Sequence, residues 1–117
     1  MYHDENLTRV KIDVQVKRLD DTIPNSPTLR YIKVDAEGGD LIILMGAERL
    51  LRFNRPFITF ECGDNSIINY DYTSADYFDF FARIGYRIST ILGEELNRAA
   101  FIESCRVQKV WDYIAAP

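Results

Sequence analysis

One stretch constrains the fold more than any other: Tyr31-Ile32-Lys33-Val34-Asp35-Ala36-Glu37-Gly38-Gly39-Asp40, running on into Leu41-Ile42-Ile43-Leu44-Met45-Gly46-Ala47. A short apolar run, an acidic glycine turn and a helical apolar pattern follow one another without a break. That order predicts a buried strand, a tight turn and a helix. Such a βα corner is where open α/β sheets hold their chemistry, outside the carboxyl ends of the strands. Gly38 and Gly39 allow positive φ in the turn, and Asp40 has the residue type and place of an N-cap for a helix starting at Leu41.

The flanks extend the corner. Leu44, Ala47, Leu50 and Leu51, with Ile43 beside them, repeat at the spacing of a buried helix face. Arg49, Arg52 and Arg55 sit toward its C-terminal end, where cations suit the macrodipole, and Pro56 ends the helix. Phe57 to Phe60 reads as a second strand, too apolar on both faces for an edge, with Glu61 at its carboxyl end. Strand, helix and strand in this order predict a right-handed parallel βαβ unit, which would bring Asp35 and Glu61 to one sheet edge. In the first strand, about Leu29 to Val34, alternation puts Ile32 and Val34 on one face and Tyr31, Lys33 and Asp35 on the other. Covered on both faces, that strand would leave Lys33 in need of a carboxylate, either Asp35 or one from a neighbouring strand.

The remaining chain reads as follows. Val10 to Lys17 alternates strictly, Val10, Ile12, Val14 and Val16 against Lys11, Asp13, Gln15 and Lys17, which predicts a strand with one wet face. Residues 1–9 before it are expected to fray. Arg18 to Ile23 fits a short helical turn, and Pro24-Asn25-Ser26-Pro27 a loop. Thr73, with Asp76 three residues on, makes a capping-box pair for a helix that presents Tyr77, Phe81 and Ile84 on one face and ends near Gly85. Tyr86 to Leu92 is a third strand and Val107 to Ala115 a fourth, and the polar segment between them fits a helix or a strand. The aromatics from Tyr70 to Tyr86 read mostly as core packing, which leaves Tyr70 and Tyr72, in the loop after Glu61, as candidate substrate contacts.

Composition excludes several classes. With 117 residues, 47% of them apolar, the chain supports one core and is too short for two. A net charge of −4 and a pI near 4.9 argue against a nucleic-acid surface, which needs a basic face. No apolar run approaches the ~20 residues of a membrane span, and Met1-Tyr2-His3-Asp4-Glu5 lacks the features of a signal peptide, so a cytoplasmic location is the expectation. Cys62 and Cys105 lack metal spacing and read as buried free thiols. The single histidine, His3, leaves no nucleophile-histidine pair to build, which disfavours hydrolase chemistry.

Asp35, Glu37 and Asp40 crowd one turn, and Glu61 joins them from the next strand. Carboxylates grouped in this way suit Mg²⁺ ligation or general-base chemistry on a hydroxyl. Taken singly, each has a plain structural role: Asp40 caps a helix, Glu37 is solvated and Asp35 pairs with Lys33. Their grouping at a carboxyl edge is what points to function.

The block from Tyr31 to Asp40, followed by Leu44-Met45-Gly46-Ala47, Leu50-Leu51, Arg55-Pro56 and Phe60-Glu61, resembles the C-terminal half of FkbM-type methyltransferases. Arg18-Leu19-Asp20-Asp21, Gly85-Tyr86 and the closing Asp112-Tyr113-Ile114-Ala115-Ala116-Pro117 extend the resemblance over almost the whole chain. It implies an α/β fold, a partial Rossmann-like methyltransferase sheet holding strands four to seven. It also implies S-adenosylmethionine-dependent, mostly O-directed methyl transfer to a small-molecule or glycan acceptor. Asp35 and Glu37 match the acidic pair beside the transfer centre, and Glu61 the acid that ends the fifth strand, which makes these three the candidate catalytic residues. Lys33, Asp40, Tyr70 and Tyr72 are the candidate substrate contacts, and Asp40 stands where the family has Glu, shorter by a methylene.

The six glycines nowhere make G-x-G, and only nine residues precede Val10, so the cofactor-binding half is expected to be missing and no residue is assigned to the cofactor. The Tyr31 strand would then lack its usual neighbour, and a bare edge recruits strands. Homo-oligomerisation, or pairing with a separate N-terminal half, is the expected consequence. Three functions remain open: a methyltransferase inactive as this chain alone, a non-catalytic assembly module, and a Mg²⁺-dependent enzyme built on Asp35, Glu37 and Asp40.

Overall fold

The structure is a computed structural model that describes residues 8–25 and 28–117. The fraying expected over residues 1–9 falls, but for Thr8 and Arg9, outside the described residues, as do Ser26 and Pro27 of the expected loop. In chain order the elements are α1 (Leu19–Thr22), β1 (Tyr31–Lys33), α2 (Asp40–Met45), α3 (Glu48–Asn54), β2 (Phe57–Glu61), α4 (Asp64–Ile67), α5 (Ser74–Arg83), β3 (Arg87–Thr90), β4 (Glu95–Leu96), α6 (Arg98–Val107) and β5 (Asp112–Ala116).

The strands form one mixed five-stranded sheet in the order β1-β2-β5-β3-β4. β1 and β2 pair in parallel, Tyr31 opposite Phe57 and Lys33 opposite Thr59, as a βαβ unit requires. β5 runs antiparallel between β2 and β3. Alternation sends Ile58, Phe60, Ile88, Tyr113 and Ala115 into the core, where they meet Leu44, Leu51, Tyr77, Phe81 and Phe101 from the helices. Phe60 is the hub: its ring centroid lies 4.9 Å from that of Phe81 and 5.8 Å from those of Tyr77 and Tyr113. The opposite face carries Tyr31, Lys33, Phe57, Thr59, Glu61, Ile114 and Ala116, and no strand residue on it is buried.

Four expectations are corrected and one open reading is resolved. Val10 to Lys17 forms no strand; it is an exposed segment without regular structure, because among the described residues no neighbouring strand takes its backbone groups. The single helix after Asp40 is two, α2 and α3, interrupted at Gly46 and Ala47. Asp20 holds the second start in place, accepting hydrogen bonds from Arg49 N (2.8 Å) and Leu50 N (3.0 Å) and so serving two of the amides a helix start leaves unpaired. Asp40 is not the N-cap; Gly39 is, and Asp40 lies inside the first turn. The undecided segment resolves into β4 and α6, the latter capped by Asn97 Oδ1, which accepts from Ala100 N at 2.9 Å. The last strand therefore begins at Asp112, and Val107 closes a helix.

Other expectations hold. Thr73 N donates to the Asp76 carboxylate at 2.7 Å, completing the reciprocal half of the capping box of α5. Both cysteines are free and buried, and hydrogen bonding to Cys105 together with burial pushes the Cys62 thiol well up, away from reactivity. Among the described residues no helix is long and apolar enough to cross a membrane.

Candidate functional site

The site begins with the backbone of the turn after β1. Glu37 has φ +49° and Gly38 φ +97°, so the chain makes two consecutive residues in the left-handed half of φ space. A side chain at Gly38 has no room: an added Cβ would stand 2.1 Å from the Ser66 carbonyl oxygen of α4. Ordinary helix and strand geometry cannot hold this turn, so side chains must.

Asp40 is the main one. It is fully buried, and its carboxylate accepts from Ala36 N at 2.9 Å on one oxygen and from Glu61 N at 2.9 Å on the other. One buried anion thus ties the turn after β1 to the carboxyl end of β2, with charge-assisted bonds on both sides. Three tyrosines close the far side. Tyr72 Oη donates to the Gly38 carbonyl at 2.5 Å, Tyr77 Oη contacts the same carbonyl at 3.4 Å, and Leu41 N donates to Tyr77 Oη at 3.3 Å. Tyr70 stacks on Tyr72 with centroids 5.2 Å apart. Burial pushes the hydroxyls of Tyr72 and Tyr77 up, so both stay protonated donors.

With Asp40 turned inward, Asp35, Glu37 and Glu61 remain on the rim. Burial raises the Glu61 carboxyl above its ordinary value, and the negative charges of Asp35, Asp112, Asp40 and Glu37 raise it further. Lys33 lies 3.9 Å from Asp35, and both side chains are largely exposed. The lysine's partner is therefore the residue two along its own face, in a loose surface pair of small energetic weight. Beside the turn, Tyr70, Tyr72, Asp64, Ile67, Thr73 and Ile102 line an open groove of about 410 Å³.

Asp35, Glu37 and Glu61 are thus gathered, Tyr70 and Tyr72 border both the turn and the groove, and Lys33 stands at the rim. Asp40 could touch a substrate only by releasing the backbone it holds. Nor do Asp35, Glu37 and Asp40 make a metal site: among the described residues no group of three or more acidic, histidine or cysteine side chains is placed to hold an ion.

Sequence reasoning missed Asp112. It pairs directly opposite Glu61 across β2 and β5, and it is one of the charges raising that carboxyl. Only strand register reveals the pairing. It also took Tyr77 for core alone, whereas its hydroxyl serves the turn.

Comparison with protein families matches residues 3–88 to the methyltransferase FkbM domain. The chain belongs to that family. The FkbM match takes in β1, the acidic turn, β2 and α5 and ends within β3, so Asp35, Glu37, Asp40, Glu61, Tyr70 and Tyr72 all lie inside it. Asp112 lies beyond it. No curated protein and no solved structure matches the chain. The mixed α/β sheet with its flanking helices is consistent with an FkbM methyltransferase domain.

Proposed function

We propose that this corner activates the acceptor in an S-adenosylmethionine-dependent O-methyltransferase of Rossmann-like architecture, the acceptor being a hydroxyl of a small molecule, sugar or lipid. The observation that carries the reading is the raised Glu61 carboxyl on a rim shared with Asp35 and Glu37. A base is most effective when its proton affinity approaches the working pH, and crowding by like charges moves a carboxylate in that direction. In this reading Glu61 takes the hydroxyl proton as the oxygen attacks, Asp35 and Glu37 orient the hydroxyl, Lys33 meets acceptor oxygens at the rim, and Tyr70 and Tyr72 bound the acceptor's site along the groove.

The residues fit the methyl donor by charge: a cluster of carboxylates, crowded enough to raise the proton affinity of Glu61, is a favourable neighbour for a sulfonium cation. When bound, S-adenosylmethionine supplies the electrophilic methyl group. No described residue forms a glycine cradle for the nucleoside, so this chain by itself is expected to bind the donor more weakly than micromolar, which calorimetry measures directly.

The test is transfer of labelled methyl from S-adenosylmethionine to a panel of hydroxyl acceptors, run on this chain and on any longer natural protein that contains it. Glu61→Gln should lower the rate by roughly 10²–10⁴-fold, the usual contribution of a general base, with donor binding unchanged. Full activity in Glu61→Gln and in Asp35→Asn would remove the proposal. Donor binding without transfer to any acceptor would favour an assembly module.

A further inference from the structure

β2 lies between β1 and β5, and its backbone serves the two neighbours alternately. Phe57 N donates to the Arg30 carbonyl and Val34 N to the Thr59 carbonyl, each at 2.9 Å, and Glu61 N donates to the Asp40 carboxylate at 2.9 Å. The odd-numbered residues of β2 thus turn their backbone groups toward β1. Ile58 and Phe60 are left to exchange hydrogen bonds with Ala115 and Tyr113 of β5, their partners in the register. Glu61 and Asp112, the next pair along, are therefore a non-hydrogen-bonded pair, the class in which facing Cα atoms come to about 4.5 Å and side chains stand closest. β5 in turn has β3 on its other side, so the pairing depends on no open edge.

The two side chains also share a face. Phe60 and Tyr113 are buried in the core, which sends Glu61 and Asp112 to the opposite side of the sheet. Like charges placed directly across a ladder repel, and among the described residues neither carboxylate has a hydrogen-bond or ion-pair partner to offset it. The other charged groups around Glu61 are differently engaged. Asp35 raises the Glu61 carboxyl more than Asp112 does, but it lies 3.9 Å from the Lys33 ammonium. Asp40 accepts two backbone hydrogen bonds, and Glu37 sits in the turn after β1. Asp112 alone stands on a strand with no partner for its charge among the described residues.

We infer that Asp112, held opposite Glu61 by the β2–β5 register, is a positioning residue that acts through Glu61 and keeps it basic enough to take the acceptor's proton. The inference rests on the reading of Glu61 as the base. It gives Asp112, which lies beyond the matched family region, a part in the reaction without contact to acceptor or donor. Asp35, Glu37 and Lys33 meet the acceptor in that reading, so their charges are altered when it binds; that of Asp112 is not.

The test follows the Glu61 carboxyl by side-chain carbon NMR through a pH titration, its signal identified by its loss in Glu61→Gln. In Asp112→Asn the midpoint should move to lower pH; in Asp112→Glu, which keeps the charge, it should stay near that of the parent. Asp112 is exposed, so circular dichroism should stay native in both. The pH profile of kcat/KM for methyl transfer should carry the same change. In Asp112→Asn its rising limb should move to lower pH by the interval that NMR shows, while the plateau falls because a weaker base takes the proton. The two profiles then cross, whereas structural damage lowers the rate at every pH. A Glu61 midpoint that Asp112→Asn leaves in place overturns the inference and leaves Glu61 a base tuned by Asp35. Asp112→Glu moving the midpoint as far as Asp112→Asn overturns it too, since the charge would not be the cause. A midpoint that moves while the rate limb stays fixed shows that Glu61 is not the base, and both readings fall.

Discussion

The arm from Val10 to Lys17 and the strand from Tyr31 to Lys33 make an instructive pair. The arm alternates more strictly than any other part of the chain and is not a strand; β1 is three residues long, carries a lysine, and is one. The difference lies in what holds each. β1 has β2 beside it, the glycine turn after it, and Asp40 fastening that turn to the end of β2. The arm has, among the described residues, only its anchor at Asp20. Alternation states which face of a segment is apolar; it does not supply the partner that makes a strand.

If Asp40 is what separates the two, removing it should make β1 behave like the arm. Asp40→Ala leaves Ala36 N and Glu61 N without their charged acceptor and opens a small buried space. The expected loss is about 3–5 kcal/mol, seen as a lower urea midpoint. Amide exchange at Tyr31 to Lys33 should rise toward that of the arm. Methyl transfer should fall with stability, because the turn and the end of β2 would part. An Asp40→Ala protein with β1 still protected would place the fastening elsewhere.

Gly38→Ala tests the turn itself at smaller cost. The substitution forces a side chain into positive φ and against the Ser66 carbonyl oxygen, an expected loss of about 1–3 kcal/mol. Its effect should concentrate in exchange at Ala36 to Leu41 and in the α4 segment, with the arm unchanged. A neutral result would mean that α4 can withdraw, and that the tyrosines hold the turn from one side only.

Much of this corner was legible in the sequence, because its determinants are local. The apolar run of β1, the Gly38-Gly39 turn, the apolar face of the helices, Pro56 and the strand ending in Glu61 all lie within a single βαβ unit. So do the residues that carry the family resemblance. What escaped is non-local. The break between α2 and α3 depends on Asp20, far upstream. The role of Asp40 depends on Glu61 N arriving from β2, and without that partner an Asp at a helix start is most simply read as a cap. Asp112 is placed by the antiparallel insertion of β5. The helix α6 is the exception: its Asn97 cap is local, yet the sequence reading did not single it out, because the polar run after it lacks the periodicity of a helix face.

Glu61 gives the smallest effect and the finest distinction. Its carboxyl is raised in the folded protein above the ordinary 4.5, by burial first and by Asp35 and the other rim charges next. Below the ordinary value the group is protonated in both states and contributes nothing. As pH rises, the unfolded chain ionises first while the folded one resists, so stability falls between the ordinary and the raised value and stays lower above it. Glu61→Gln should therefore match the parent near pH 4 and exceed it near pH 7, by about 1 kcal/mol or less for a group this open to solvent. Urea midpoints at the two pH values measure it. Lower stability of the variant at neutral pH would show that the carboxylate is held by favourable contacts and is structural in the manner of Asp40. The sign separates the two acids. Asp40 should lose stability and activity together, as a support does, whereas Glu61 should trade one for the other, as a group kept under strain for chemistry does.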